Sequence, residues 1–218
     1  MAGIYHVLEG QLFYGAYFIF AAAILDFLDG FVARLLNAYS EIGKQLDSLA
    51  DLVTFGVLPA FIVFTLLQDI YPDSYLPYSA FFIATQSAIR LAKFNIDTRQ
   101  SDRFIGVPTP ANGLLISTLP FMAERFEWVQ NLVYNGPFLL GFSLLFALLL
   151  TAELPLIALK FKNFGFKDNK YRYLTLLISL ACLLTMGIGG VPLAILSYVL
   201  LSIIENVENR NEQDKVAL

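Results

Sequence analysis

Two short segments decide how this chain reads: Asp26-Phe27-Leu28-Asp29-Gly30-Phe31-Val32-Ala33-Arg34 and, eight residues later, Gly43-Lys44-Gln45-Leu46-Asp47-Ser48-Leu49-Ala50-Asp51. Both lie in otherwise apolar sequence, where a carboxylate costs about 2.5–3.5 kcal/mol even on lenient insertion scales. Four aspartates within 26 residues therefore need compensation, and a divalent cation supplies it most directly. On helices, spacings of three (Asp26/Asp29) and four (Asp47/Asp51) put each pair on one face. Two such faces brought together make a four-carboxylate cage. At an assumed ~5 Å and an effective dielectric of about 20, each pair repels by about 3 kcal/mol, so the cage needs cations. Hard oxygen ligands select magnesium, manganese or calcium over zinc or copper. The bland alternative is that these acids cap helices or pair with Arg34 and Lys44.

Composition fixes the setting. The chain is 57% hydrophobic and 15% charged, with a mean hydropathy of +0.65, beyond what a soluble domain of this size requires. The 20 Phe and 11 Tyr suit a membrane interface. An integral membrane protein follows. Cys182 and His6 are the lone residues of their types, which rules out an internal disulfide framework and disfavours His-based triads or zinc sites.

Seven apolar stretches follow one another, about 12–36, 48–68, 76–95, 110–123, 137–160, 173–189 and 190–205. Most reach the roughly 20 residues needed to cross a bilayer core; the fourth is short, contains Pro120 and is the least secure. Gly187-Ile188-Gly189-Gly190-Val191-Pro192 reads as a tight turn between the last two. The expected architecture is all-α, a polytopic transmembrane bundle of about seven helices over 1–205, with a polar cytoplasmic tail at 206–218 that frays into water.

If each stretch crosses once, thirteen of the fourteen Lys and Arg fall on one side and Arg125 alone on the other. That side is expected to be cytoplasmic, and the carboxylates open onto it. Gly30 and Gly43 lack Cβ and admit either a ligand or a neighbouring helix. Arg34 offers a planar fork to phosphate or a positive-inside anchor. Arg90 and Lys93 share a face and read equally as a grip on a lipid phosphate or an acceptor carboxylate, or as anchors. Glu153, two residues before Pro155, is an intramembrane acid on this reading. Lys160, Lys162, Lys167, Lys170 and Arg172 form a basic link that orients the chain or attracts anionic lipid.

The string Asp26, Asp29, Gly30, Ala33, Arg34, Gly43, Asp47, Asp51 matches at every spacing the signature of the CDP-alcohol phosphatidyltransferase family, and nearly the whole chain resembles it. Flanking stretches look like its serine-using branch: Asp47-Ser48-Leu49-Ala50-Asp51 through Pro59, Arg90-Leu91-Ala92-Lys93-Phe94-Asn95, and Phe104-Ile105-Gly106-Val107-Pro108-Thr109-Pro110-Ala111. The resemblance implies transfer of a phosphatidyl group from CDP-diacylglycerol to the hydroxyl of L-serine, releasing CMP. It implies a homodimer among membrane lipids, no nucleic-acid partner, and magnesium or manganese as one or two ions. Asp26, Asp29 and Asp47 would hold the first ion and Asp51 would join at a second. Asp51 would also be the base, and Asp26, Gly30, Ala33, Arg34, Gly43 and Asp47 would line the CMP moiety. Family members usually begin with a further helix upstream of the short Met1–Glu9, so that first helix is expected to be missing. Competing readings keep the chemistry with glycerol phosphate or inositol phosphate as acceptor, make the chain a divalent-cation carrier, or make it a catalytically dead scaffold.

Overall fold

The computed structural model describes residues 1–38, 40–97, 104–158, 161, 163, 165–166 and 169–216, with side chains at all of these except 104 and 210–216. Arg99, Arg103, Lys160, Lys162 and Lys167 of the basic clusters lie outside the described residues. Helices α1 (Ala2–Leu8) and α2 (Leu12–Leu35) open the chain. Next, α3 (Glu41–Asp51), a π-helical turn (Leu52–Val57) and α4 (Leu58–Ile70) run as one helix, Glu41–Ile70. A 3-10 turn (Leu76–Phe81) leads into α5 (Phe82–Ile96). The remainder comprises β1 (Phe104–Ile105), α6 (Thr109–Arg125), α7 (Glu127–Val133), α8 (Gly136–Thr151), β2 (Pro155–Leu156), α9 (Lys170–Met186) and α10 (Val191–Val216). The fold is all-helical apart from β1 and β2, which pair antiparallel with Phe104 opposite Leu156.

Local chemistry explains the breaks. Pro59 has no N–H and its ring crowds the carbonyl four residues back; the wide π turn lies directly before it. Asn135 caps α8, its Oδ1 accepting from the Phe138 amide at 3.0 Å, and Pro137 occupies the first turn, where no donor is missed. Gly187, at φ +57°, ends α9 in the left-handed region.

Three helical segments among the described residues are long and apolar enough to cross a membrane: Leu12–Leu35, Glu41–Ile70 and Lys170–Asn209. The pair α7 and α8, bent by 79°, would make a fourth. The Lys170–Asn209 segment folds back at Gly187–Gly190, because Lys170 Nζ reaches Glu208 Oε1 at 2.6 Å and Tyr171 donates to Glu208 Oε2 at 2.5 Å. A straight helix of that length would hold those ends roughly 55 Å apart. This is a membrane protein.

Three sequence expectations change. The short fourth stretch becomes α6, the centre of the bundle, touching α2, α4, α7, α10 and the π turn. Its polar residues Asn112, Ser117 and Thr118 are fully buried against protein, so bulk hydropathy undervalues it. The fifth stretch stops being helical at Thr151 rather than running to 160, and Glu153 stands exposed just past its end. Pro155 supplies the reason: it carries no amide donor and pushes its predecessor towards extended backbone. The final stretch continues as helix to Val216 instead of fraying after Glu205.

Packing is close where the π turn meets α6 and α5. A Cβ on Gly113 would lie 2.9 Å from the Phe55 backbone, and one on Gly56 would lie 2.8 Å from Ser87 Cβ. Small residues at such crossings let backbones approach, which is the main source of helix association where lipid is the alternative neighbour. Around this point Phe55, Ile62, Leu66, Ile83, Leu115 and Leu139 form the buried core.

Candidate active site

The turn between α2 and α3 builds the site. Asn37 takes a left-handed φ of +51°, the Ala38 amide donates to Ala33 O at 3.0 Å and the Asn37 amide to Arg34 O at 3.3 Å. That pattern is a Schellman stop, which satisfies carbonyls at the helix end. Three residues on, Ser40 Oγ accepts from the Gly43 amide at 3.0 Å and starts α3. The chain thus reverses within a few residues and sets the acidic faces of α2 and α3 against each other.

Asp26, Asp29 and Asp47 meet there. One carboxylate oxygen from each lies within 4.8 Å of the others, Asp26 half-buried and the other two exposed. An all-oxygen donor set of this kind fits a hard divalent cation. The alternative partners are occupied differently. Arg34 Nε donates to Gly30 O at 2.9 Å and Lys44 Nζ donates to Asn95 O at 2.9 Å. Among the described residues, none of the three carboxylates makes an ion pair. Capping does not occupy them either, since Gln11 and Ser40 stand at the N-caps of α2 and α3.

Asp51 stands outside this group of three. Half-buried at the end of α3, it interacts electrostatically with Asp26 and Asp47, and also with Arg90 and Asp29. Gly30, Ala33 and Arg34 follow Asp26 along one face of α2 by helical periodicity. Gly43 is held by the cap: a Cβ there would lie 2.9 Å from Ser40 Oγ. Arg90 and Lys93 on α5 reach a different place, a cavity of about 330 Å³ that they line with Ile105, Leu150, Thr151 and Glu153. Arg90 is 6% exposed and its Nε has no protein partner, while its guanidinium lies 5.5 Å from the centre of the Phe94 ring.

Sequence reasoning singled out Thr109 only as part of a resembling stretch and missed Ser87 and Asn112. Asn112 Oδ1 and Nδ2, Thr109 Oγ1 and Ser87 Oγ are buried without protein partners, each a cost of about 1–3 kcal/mol unless a polar ligand or water meets it. An asparagine inside a short apolar stretch was the available signal. Asn95 also gains a role, since its Nδ2 donates to Ser48 Oγ at 2.9 Å while its carbonyl receives Lys44. It ties the helix bearing Asp47 and Asp51 to the end of the helix bearing Arg90.

Three carboxylates from two consecutive helices thus converge within a bundle of apolar helices, a donor set that suits a hard divalent cation. Residues 1–204 match the description of the CDP-alcohol phosphatidyltransferase family, and the chain belongs to that family. Among curated relatives, a CDP-diacylglycerol–serine O-phosphatidyltransferase of Helicobacter pylori (strain J99) is 35% identical over 156 residues, 71% of this chain and 65% of the relative. One of Bacillus subtilis is 38% identical over 125 residues, covering 56% of this chain and 68% of the relative. One of Methanocaldococcus jannaschii is 40% identical over 98 residues, 45% and 46% of the two chains. The matched segment thus spans less than two thirds of the Helicobacter relative.

Proposed function

We propose that this chain transfers a phosphatidyl group from CDP-diacylglycerol to the hydroxyl of L-serine, forming phosphatidylserine and CMP. The observation that carries the reading is the convergence of Asp26, Asp29 and Asp47 in a chain of this family, together with matched relatives that bear the name of serine-using enzymes. Asp26, Asp29 and Asp47 hold magnesium or manganese, and Asp51 joins them where a second ion binds. Bound there, the metal supplies positive charge against the pyrophosphate oxygens and the departing CMP. Gly30, Ala33, Arg34 and Gly43, with Asp26 and Asp47, line the CMP moiety.

Asp51 is the base. The serine oxygen bonds to the phosphorus that carries diacylglycerol, the bond from that phosphorus to the CMP oxygen breaks with its electron pair, and the serine proton passes to an Asp51 carboxylate oxygen. Its interaction with the other acids and with Arg90 suits a carboxylate that must accept a proton as attack proceeds. Seven membrane crossings, a cytoplasmic face for the carboxylates and a homodimeric assembly complete the reading. The excess of Lys and Arg on one set of links supports that orientation.

The test is CMP release by the purified chain in lipid with CDP-diacylglycerol, offered serine, glycerol phosphate and inositol phosphate in turn. Serine alone should support release. Release with glycerol phosphate but not with serine would reassign the acceptor, and manganese flux through liposomes independent of nucleotide would replace the enzyme reading by a carrier.

A further inference from the structure

We infer that the cavity beside Arg90 is the acceptor subsite, that it reads the acceptor as a zwitterion, and that Glu153 selects its ammonium group. The inference rests on the proposed transfer to serine and adds how that acceptor is told apart from others.

Charge comes first. Arg90 and Lys93 enter the cavity from α5, whereas Glu153 enters from just beyond α8. Both signs therefore line one space of about 330 Å³. At about 30 Å³ per water, that space holds a small amino acid with water beside it. Among the described residues, Arg90, Lys93 and Glu153 make no ion pair, so neither sign is spent on the other. A carboxylate meets Arg90, whose planar fork matches it and whose buried Nε has no partner within the protein. An ammonium group meets Glu153. A doubly charged phosphate ester meets Glu153 as well and is repelled by it.

Position supports the same assignment. Arg90 interacts electrostatically with Asp51, which couples the cation of this cavity to the proposed base. Asp97 also lines the cavity, but it is the C-cap of α5, the helix that carries Arg90 and Lys93, whereas Glu153 comes from a separate element beyond α8. The backbone flanking Glu153 is clamped: Gly106 N donates to Leu154 O and Val107 N to Leu149 O, both at 2.9 Å. Thr151 Oγ1 donates to Gln86 Oε1 at 2.8 Å and fixes the end of α8 to α5. Gly106 alone suits this crossing, because its φ is +74° and a Cβ would lie 2.4 Å from Leu150 O. Glu153 is thus presented at the cavity mouth by a rigid frame.

The experiment compares the full wild-type chain with E153Q and E153D in lipid, using CDP-diacylglycerol and magnesium. CMP release is measured with L-serine, with glycerate (no ammonium) and with glycerol phosphate; CMP binding checks that each variant retains its donor site. Wild type should favour serine over glycerate. In E153Q the ratio of kcat/KM for serine to that for glycerate should fall by about tenfold or more, mainly through KM for serine, and E153D should recover part of it. An unchanged ratio in E153Q overturns the role of Glu153 while leaving the proposed transfer standing. Equal loss with every acceptor overturns it too. If the wild type releases CMP with glycerol phosphate and not with serine, the proposed function falls and the zwitterion subsite falls with it.

Discussion

Helices α6 and α2 sit in opposite surroundings. Eleven of the 17 residues of α6 are buried, whereas α2, with 24 residues, buries only Gly15, Ala16 and Ile19. α3 buries none. The acids of the site therefore ride on the helices that the rest of the protein holds least, and the orphaned polar groups Thr109 and Asn112 ride on the helix it holds most. Packing fixes α6. α2 packs against α1 and α6 but leaves its acidic face open, where polar tethers such as Lys44 to Asn95 join the α3 side to α5.

That contrast can be broken by experiment. The largest effect should come from chelation: EDTA should reduce CMP release to background and added magnesium or manganese should restore it, since the three carboxylates otherwise repel one another. Activity that survives chelation would mean the α2–α3 face is held without cations. Next, D51N should lower kcat by about 10²–10⁴-fold, the usual worth of a general base, while titrated CMP binding stays close to wild type. Equal loss of both would make Asp51 chiefly a metal ligand. A tenth of wild-type metal affinity, at about the low end for lost supporting contacts, is expected of N95A, read as the magnesium concentration for half-maximal release. The smallest pair compares the two helices directly. I116A, at a fully buried site in α6, should cost about 2–5 kcal/mol in thermal or denaturant unfolding. L25A on the open face of α2, 64% exposed, should stay within about 0.5 kcal/mol. A large L25A effect would show that a second copy covers α2.

Much of the site was legible because helical periodicity is strict. Spacing paired Asp26 with Asp29 and Asp47 with Asp51, the family resemblance grouped Asp26, Asp29 and Asp47, and those three meet. Asp51 was placed with them because four residues return to the same face, yet four residues also climb about 6 Å along the axis. Asp47 reaches the α2 pair, while Asp51 lies outside that group of three and interacts electrostatically with Asp26 and Asp47 and with Arg90. Bundle interior was harder to read. Hydropathy presumes lipid as the neighbour, so it ranked α6 lowest although the helix needs no lipid at all. The π turn went unread, despite Pro59, because a proline in a helix signals disruption without saying what form it takes. The links at 98–103 and 159–160, which carry several of the cations used for orientation, fall outside the described residues.

The wide turn at Leu52–Val57 acts as a gearbox between two halves of one rod. Above it α3 presents acids and buries nothing; below it α4 buries seven of its 13 residues. The surplus residue in a π turn changes the rotational phase between the halves by about 100°, so the acidic face and the core-facing stripe are indexed separately. Deleting one residue there would mesh them again, and the carboxylates would swing away from α2 while α4 kept its seat.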